Sequence, residues 1–271
     1  MNSIKLFNLK ARSLKRSRAK IAGMFLQVLA RDEILERLEE INRSFERIAI
    51  ITGFPEIWSQ SLPQANLIAD TDTLKMAQKE YHLIIHAMAL HHSNDLVGQV
   101  IQSTQALKPD GLFIGSCFGG QTLAELRAAL STAEAEMCGG LSPRISPMAE
   151  IRDLGAILQR AGLALPVVDN LSISSSYRNL THLMHDIRDM GETNIMTTRS
   201  KSFTVGTLFN RAQEIYASEF RNSDGRLMCT FDLMFLSGWA PHKNQPKPLQ
   251  PGSVKKSLLD ALGEAKSHPK D

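Results

Sequence analysis

The chain predicts an α/β fold, a mostly parallel sheet with crossover helices and an antiparallel last strand. Three observations carry this expectation. Continuous apolar runs such as RIAIIT (47–52) read as parallel strands buried on both faces. These runs alternate with stretches of helical periodicity, which parallel neighbours need as crossovers. Near the end, Leu227, Cys229, Phe231, Leu233 and Phe235 alternate with Met228, Thr230, Asp232, Met234 and Leu236, the period of a long antiparallel strand.

Each element follows in order. RDEILERLEEINRSF (31–45) places Ile34, Leu35, Leu38, Ile41 and Phe45 at helical spacing and leads into a first strand over 48–52. ANLIAD (65–70) and HLIIHAMAL (82–90) are the second and third strands. SNDLVGQVIQSTQAL (93–107) is a helix with Ser93 and Asn94 as caps, and KPDGLFIGSCF (108–118) is a turn followed by a strand over 111–117. GGQTLAELRAALSTAEAEM and SPMAEIRDLGAILQRAG are helices, the second stopped by Gly162, and LALPVVDNLSISSS is strand material. Two more helices, over about 177–190 and 203–221, precede the last strand over 227–239.

Composition narrows the class. A chain of 271 residues with 43% hydrophobic content is long enough for one sizeable core. It has no apolar run of about 18 residues, so no membrane-spanning helix is expected and the protein is placed in the cytoplasm. Cys117, Cys138 and Cys229 are far apart and form no C-x-x-C pair, which fits free thiols in a reducing compartment. The net charge of +3 is unevenly spread: Lys5, Lys10, Arg12, Lys15, Arg16, Arg18 and Lys20 all precede the first acid, Asp32. Such a stretch reads as a transit peptide, as a nucleic-acid arm, or as a basic helix that packs on the domain or on an acidic partner. The expected organisation is a basic helical segment over 1–45, a domain over 46–240 with a helical insertion about 176–222, and a Pro/Lys-rich tail over 241–271.

HLIIHAMALHHSNDLVGQVIQSTQALKPDGLFIGSCFGGQTLAELRAAL, GGLSPRISPMAEIRDLGAILQRAG, DIRDMGETN and LSGWAPHKNQPKPLQPGS together resemble the proteobacterial relatives of the mitochondrial complex I assembly factor. More distantly, the chain is similar to the malonyl-carrier-protein methyltransferase of biotin synthesis. The specific motifs are G-G-x-T-L-x-E-L, G-G-x-S-P-x-I-S-P and G-W-A-P-H. The resemblance implies a Rossmann-like class I S-adenosylmethionine-dependent methyltransferase fold, and an association with hydroxylation of an arginine in a complex I subunit. It extends over the basic N-terminal stretch, which argues against a cleaved transit peptide and for docking on protein, with no nucleic-acid partner. A complex I subunit is then the expected protein partner, with any membrane association peripheral and through that partner.

The resemblance also locates a cofactor loop. In the family an acid and spaced glycines end the first strand, and a second acid about 20 residues on holds the ribose. Matched to that pattern, Thr52, Gly53, Phe54, Asp70, Ala87 and Met88 are the cofactor-binding positions. The loop is degraded: Ile51 stands at the first acid, and Pro55 and Ile57 stand at later glycines, whereas Asp70 is retained. A helix and an edge strand expected between Asp70 and His82 are missing. S-adenosylmethionine is therefore expected to bind weakly or not at all.

The substrate side is expected at His91, His92, Asn94, Arg144 and Trp239. His91 and His92 follow a strand end where α/β sheets bind ligands; the plainer reading is a capping turn in which Asn94 starts the next helix. An iron site of His91, His92 and Asp95 is set aside, because consecutive residues do not easily face one metal. Arg144 receives an acidic group or is a solvated loop residue, Glu125 and Glu134 are solvated, and Trp239 closes the substrate side or packs on the sheet. Two function classes remain open. One is a methyltransferase-like enzyme using S-adenosylmethionine or a related chemistry on a protein side chain, in complex I assembly as the resemblance implies. The other is a catalytically idle module that chaperones a respiratory subunit.

Overall fold

In the computed structural model, which describes residues 5–246, the run RIAIIT contains a strand buried along its whole length, and its side chains divide between two cores. Ile48 and Ile50 join Leu83, Ile85, Leu112 and Ile114 on one face, whereas Ala49 and Ile51 join Ile84 and Phe113 on the other. With apolar neighbours on both sides, Ile48 to Ile51 are all apolar, and the one polar residue of the strand, Thr52, stands at its carboxyl end.

The elements are α1 (Leu9–Arg16), α2 (Phe25–Glu40), β1 (Ile48–Thr52), α3 (Pro55–Trp58), β2 (Asn66–Ala69), β3 (Tyr81–Ala87) and α4 (Leu96–Ala106). They continue as β4 (Leu107–Gly119), α5 (Ala124–Cys138), α6 (Ile151–Arg160), β5 (Ala164–Tyr177), α7 (Leu180–Asp189), α8 (Gly206–Glu219) and β6 (Leu227–Trp239). The sheet order is β2-β1-β3-β4-β6-β5. Strands β1 to β4 pair in parallel, and β6 runs antiparallel to both β4 and β5. This is the expected Rossmann-like class I architecture with an antiparallel last strand. Residues 71–80 contain no helix or strand, so β2 is the edge of the sheet among the described residues.

Some boundaries differ from the periodicity. The helix expected over 31–45 is α2, which starts at Phe25 and ends at Glu40, where Asn42 takes φ 49° and turns the chain toward β1. Leu26, Ala30 and Ile34 of α2 sit in the main core. Lys-Pro-Asp-Gly does not precede β4 as a separate turn: the strand begins at Leu107 and absorbs it as an irregularity, with Asp110 at φ 62° and a register shift opposite Tyr81 and Leu83.

The first compact unit runs to Pro241. Beyond it, His242–Gln245 close a turn in which the Gln245 N–H donates to the His242 carbonyl (3.3 Å). Of the Pro/Lys-rich tail, residues 247–271 lie outside the described residues. Cys117 and Cys229 are buried, Cys138 is exposed, and all three are unbridged. No helix among the described residues is long and apolar enough to cross a membrane.

Phe113 is fully buried at the middle of β4, in register with Ile84. Phe113→Ala is expected to cost about 3–5 kcal/mol, through lost burial plus a cavity that central strands cannot collapse. Urea denaturation measures it; a cost near 1 kcal/mol would contradict this packing.

Candidate functional site

Strand β1 lies between β2 and β3, so the chain leaves it toward one side of the sheet and next builds on the other. Ligands of open α/β sheets bind outside the carboxyl ends of the strands at such a point. Two concavities open there. One is a groove of about 670 Å³ between α1, the turn after β1 and the end of β2. The other is a cavity of about 390 Å³ beneath α5, α7 and the loop 142–148, reaching Phe118 and Phe231 on the sheet.

Thr52, Gly53, Phe54 and Asp70 line the groove together, but helix α1 reaches them first. Asn8 caps α1 by accepting from the Ala11 N–H (2.9 Å). Arg12 and Arg16, four residues apart, project from one face of it. Arg16 Nη1 donates to both Asp70 oxygens at 2.7 Å. Arg12 lies 3.2 Å from the same carboxylate, and its Nη2 donates to the Asp70 carbonyl at 2.6 Å. Burial pushes the Arg12 pKa below its ordinary value against the pull of Asp70. The Arg16 guanidinium also stacks 5.4 Å over Phe54 and fills the space a Cβ would need at Gly53, only 2.2 Å from Nη1.

S-adenosylmethionine, the cofactor the resemblance implies, needs a free ribose acid and backbone N–H groups at this turn. Asp70 is held by two cations, the Phe54 N–H donates to Thr52 Oγ1 (3.0 Å), and Pro55 has no N–H. Asp70, the Phe54 N–H and Pro55 therefore offer none of these groups free in this arrangement. The reason differs in part from the one the sequence suggests. Ile51 and Ile57 point into the two cores, so neither crowds the groove; Arg16 does. Ala87 and Met88 are not brought to the groove, since both are buried in the main core and the Met88 N–H is tied to Ser116 Oγ (3.1 Å).

The cavity gathers a different set. Met88 at φ 46° turns the chain out of β3 into a single 3₁₀ turn, Leu90–His92, that carries both histidines. Glu192 arrives from the end of α7, where Gly191 takes φ 76° and the Glu192 N–H donates to the Ile187 carbonyl (3.0 Å). That left-handed cap stops the helix and aims the next side chain inward. His91 Nε2 is 2.9 Å from Glu192 Oε2, and His92 Nδ1 is 3.5 Å from the same oxygen. The rings lie 4.3 Å apart at 51°. His91 Nδ1 accepts from the Phe118 N–H (3.4 Å), which leaves the ring proton on Nε2 facing Glu192. His92 Nδ1 is buried without a hydrogen-bond partner. Burial alone would raise the Glu192 pKa, but the facing histidines and Arg16 hold it down at about 2. Burial likewise pushes the His92 pKa well below its ordinary value.

Other expected site residues land elsewhere. Arg144 lines the cavity with its charge already met by Glu134 (2.8 Å) and a further bond to Thr204 Oγ1 (3.2 Å). Glu134 is not a solvated face: it is buried, accepts from the Ser142 N–H (2.8 Å), and its pKa is lowered by Ser142 and Arg144 despite the opposing effect of burial. Glu125 is likewise engaged, by the Thr230 N–H (3.1 Å). Asn94 does not face the cavity, because its side chain pins both backbone groups of Phe7 (2.8 and 3.1 Å); Asp95 caps α4 instead, through the Gly98 N–H (2.7 Å), which removes it from the histidines. Trp239 pairs with Leu112, at the amino end of the parallel strands, and Arg43 packs over its ring. An antiparallel last strand ends on the side of the sheet away from the ligand edge, so Trp239 cannot close the site.

Three side chains that line the two concavities escape sequence reasoning: Arg12, Arg16 and Glu192. The spacing of the arginines is visible within the basic stretch, and Glu192 lies in DIRDMGETN, but their partners are 54 to 101 residues away.

His86, fully buried in β3, bonds Gln99 Oε1 through Nε2 (2.7 Å), and burial pushes its pKa down to about 4. The unfolded chain takes up this proton near pH 6.5, so stability is lost as pH falls from there toward 4, by on the order of 3 kcal/mol. His86→Gln is expected to flatten that part of the urea-denaturation pH profile. A profile unchanged by the substitution would contradict a buried neutral ring.

No family model matches the chain. Over 211 residues it is 37% identical to the mitochondrial arginine-hydroxylase NDUFAF5 of Mus musculus, covering 77% of this chain and 61% of that protein. It is 29% identical to a malonyl-[acyl-carrier protein] O-methyltransferase of Xylella fastidiosa over 215 residues, 79% of this chain and 66% of the other. The chain thus spans about three fifths to two thirds of the length of these relatives. Among solved structures, a methyltransferase-like protein of Bacillus halodurans overlaps 77% of this chain and 99% of its own at 14% identity and a TM-score of 0.48, too loose to bear on function.

Proposed function

We propose that this chain, a relative of the mitochondrial arginine-hydroxylase NDUFAF5, is a methyltransferase-fold protein that acts on a protein side chain in the assembly of respiratory complex I. It works through the histidine-lined cavity and not through the groove at Asp70. The observation that carries this reading is the double-arginine clamp on Asp70, which spends the residue a cofactor ribose would need. The cavity, by contrast, is open, has the volume for one large side chain, and presents a single carboxylate, Glu192, at the histidines.

S-adenosylmethionine binding is correspondingly weak or lost in the proposed account. The protein works in the cytoplasm and meets the membrane only through the subunit it acts on. Its basic N-terminal segment serves the domain itself: Arg12 and Arg16 of α1 pair with Asp70, and on either side of the helix Lys5 pairs with Asp72 and Lys20 with Asp189. Nucleic acid has no part in this reading.

A pair of blocking substitutions separates the two concavities. Ser146→Trp fills the cavity and Leu67→Trp fills the groove. In a host lacking its own copy, complex I activity of membranes is expected to be restored by wild type and Leu67→Trp, and to stay low with Ser146→Trp. The reverse pattern would overturn the proposal.

A further inference from the structure

We infer that His91 Nε2, His92 Nδ1 and the Glu192 carboxylate together bind one divalent first-row transition-metal ion at the inner end of the cavity. The three ligand atoms lie within 4.8 Å of one another. Two nitrogens and a carboxylate oxygen are a donor set suited to iron, cobalt or zinc. With bonds of about 2.1 Å, neighbouring ligands on an ion lie roughly 3.0–3.5 Å apart; the 2.9 and 3.5 Å separations from Glu192 Oε2 match those edges.

The expectation that consecutive histidines cannot share an ion fails on a local detail. The tight 3₁₀ turn brings the two rings to 4.3 Å and presents Nε2 from one and Nδ1 from the other to the same oxygen. Asp95 is replaced as the acid by Glu192, from a helix end about a hundred residues away.

Independent of the spacing, His92 Nδ1 is a buried nitrogen without a hydrogen-bond partner, facing a buried carboxylate. A buried polar atom left unpaired in this way is costly, and a metal bond satisfies it. Ligation through His91 Nε2 moves its proton to Nδ1 or releases it, and breaks the bond from the Phe118 N–H, which at 3.4 Å is long. The remaining positions of the ion face the cavity in which the substrate side chain is proposed to sit, so the biological use of the ion rests on that reading. Its binding does not.

Untagged, metal-free protein titrated with Co²⁺ alone, followed by visible absorption, tests the inference without any activity. The expected result is one ion per chain, displaced by Zn²⁺, with Glu192→Gln and His91→Gln each weakening binding by tenfold or more while circular dichroism shows both folded. Wild-type protein that takes up no stoichiometric Co²⁺, or folded variants that bind it as well as wild type, would overturn the inference. Metal binding that persists while the blocking experiment fails would sink the functional reading alone.

Discussion

Asp70→Ala is expected to destabilise the protein by about 3–5 kcal/mol, the cost of leaving buried cations without their counter-charge. The magnitude follows from burial: the side chains of Arg12, Arg16 and Asp70 are only 8%, 9% and 8% exposed, so water cannot take over the role of the carboxylate. Arg16 is the more exposed to this loss, because its Nε and Nη2 are already buried without partners. Removing Arg16 together with Asp70 is expected to recover part of the stability, since the orphaned charge goes too. Urea denaturation of the single and double variants measures both effects. A cost below 1 kcal/mol for Asp70→Ala would mean a solvated carboxylate free to meet a ligand.

Much of the fold is legible in the sequence because its signals are local. RIAIIT is continuous where both faces are buried, and Leu227–Trp239 supports the last strand, which alternates through its first half and is buried on both faces near its middle. Helix ends were harder: α2 stops at Glu40 although Ile41 and Phe45 keep the period, because Asn42 in a left-handed conformation turns the chain toward β1. The site is legible only in halves. Asp70, Gly53, His91 and His92 lie at strand ends where the topology alone points to ligands. What those residues do is decided by side chains arriving from far along the chain, Arg12 and Arg16 from α1 and Glu192 from α7, and charge pairing across such separations leaves no period to read. Ile57 shows the converse error: it looks like a bulky intruder in a loop, whereas the turn rotates it into the core beside Trp58.

The second large effect is on cofactor affinity. An intact loop offers a free acid and several backbone N–H groups; here Asp70 is clamped, the Phe54 N–H is used and the Pro55 N–H is absent. At about 1–3 kcal/mol for each contact, losing two or three costs roughly 2–9 kcal/mol, which weakens binding by at least about thirtyfold and by several powers of ten at the upper end. Calorimetric titration of S-adenosylmethionine into the wild-type protein tests the central claim, that the arginines of α1 occupy Asp70 in the groove and the cavity does the work. The account predicts no saturable heat at micromolar cofactor. Low-micromolar binding that Leu67→Trp abolishes would contradict it.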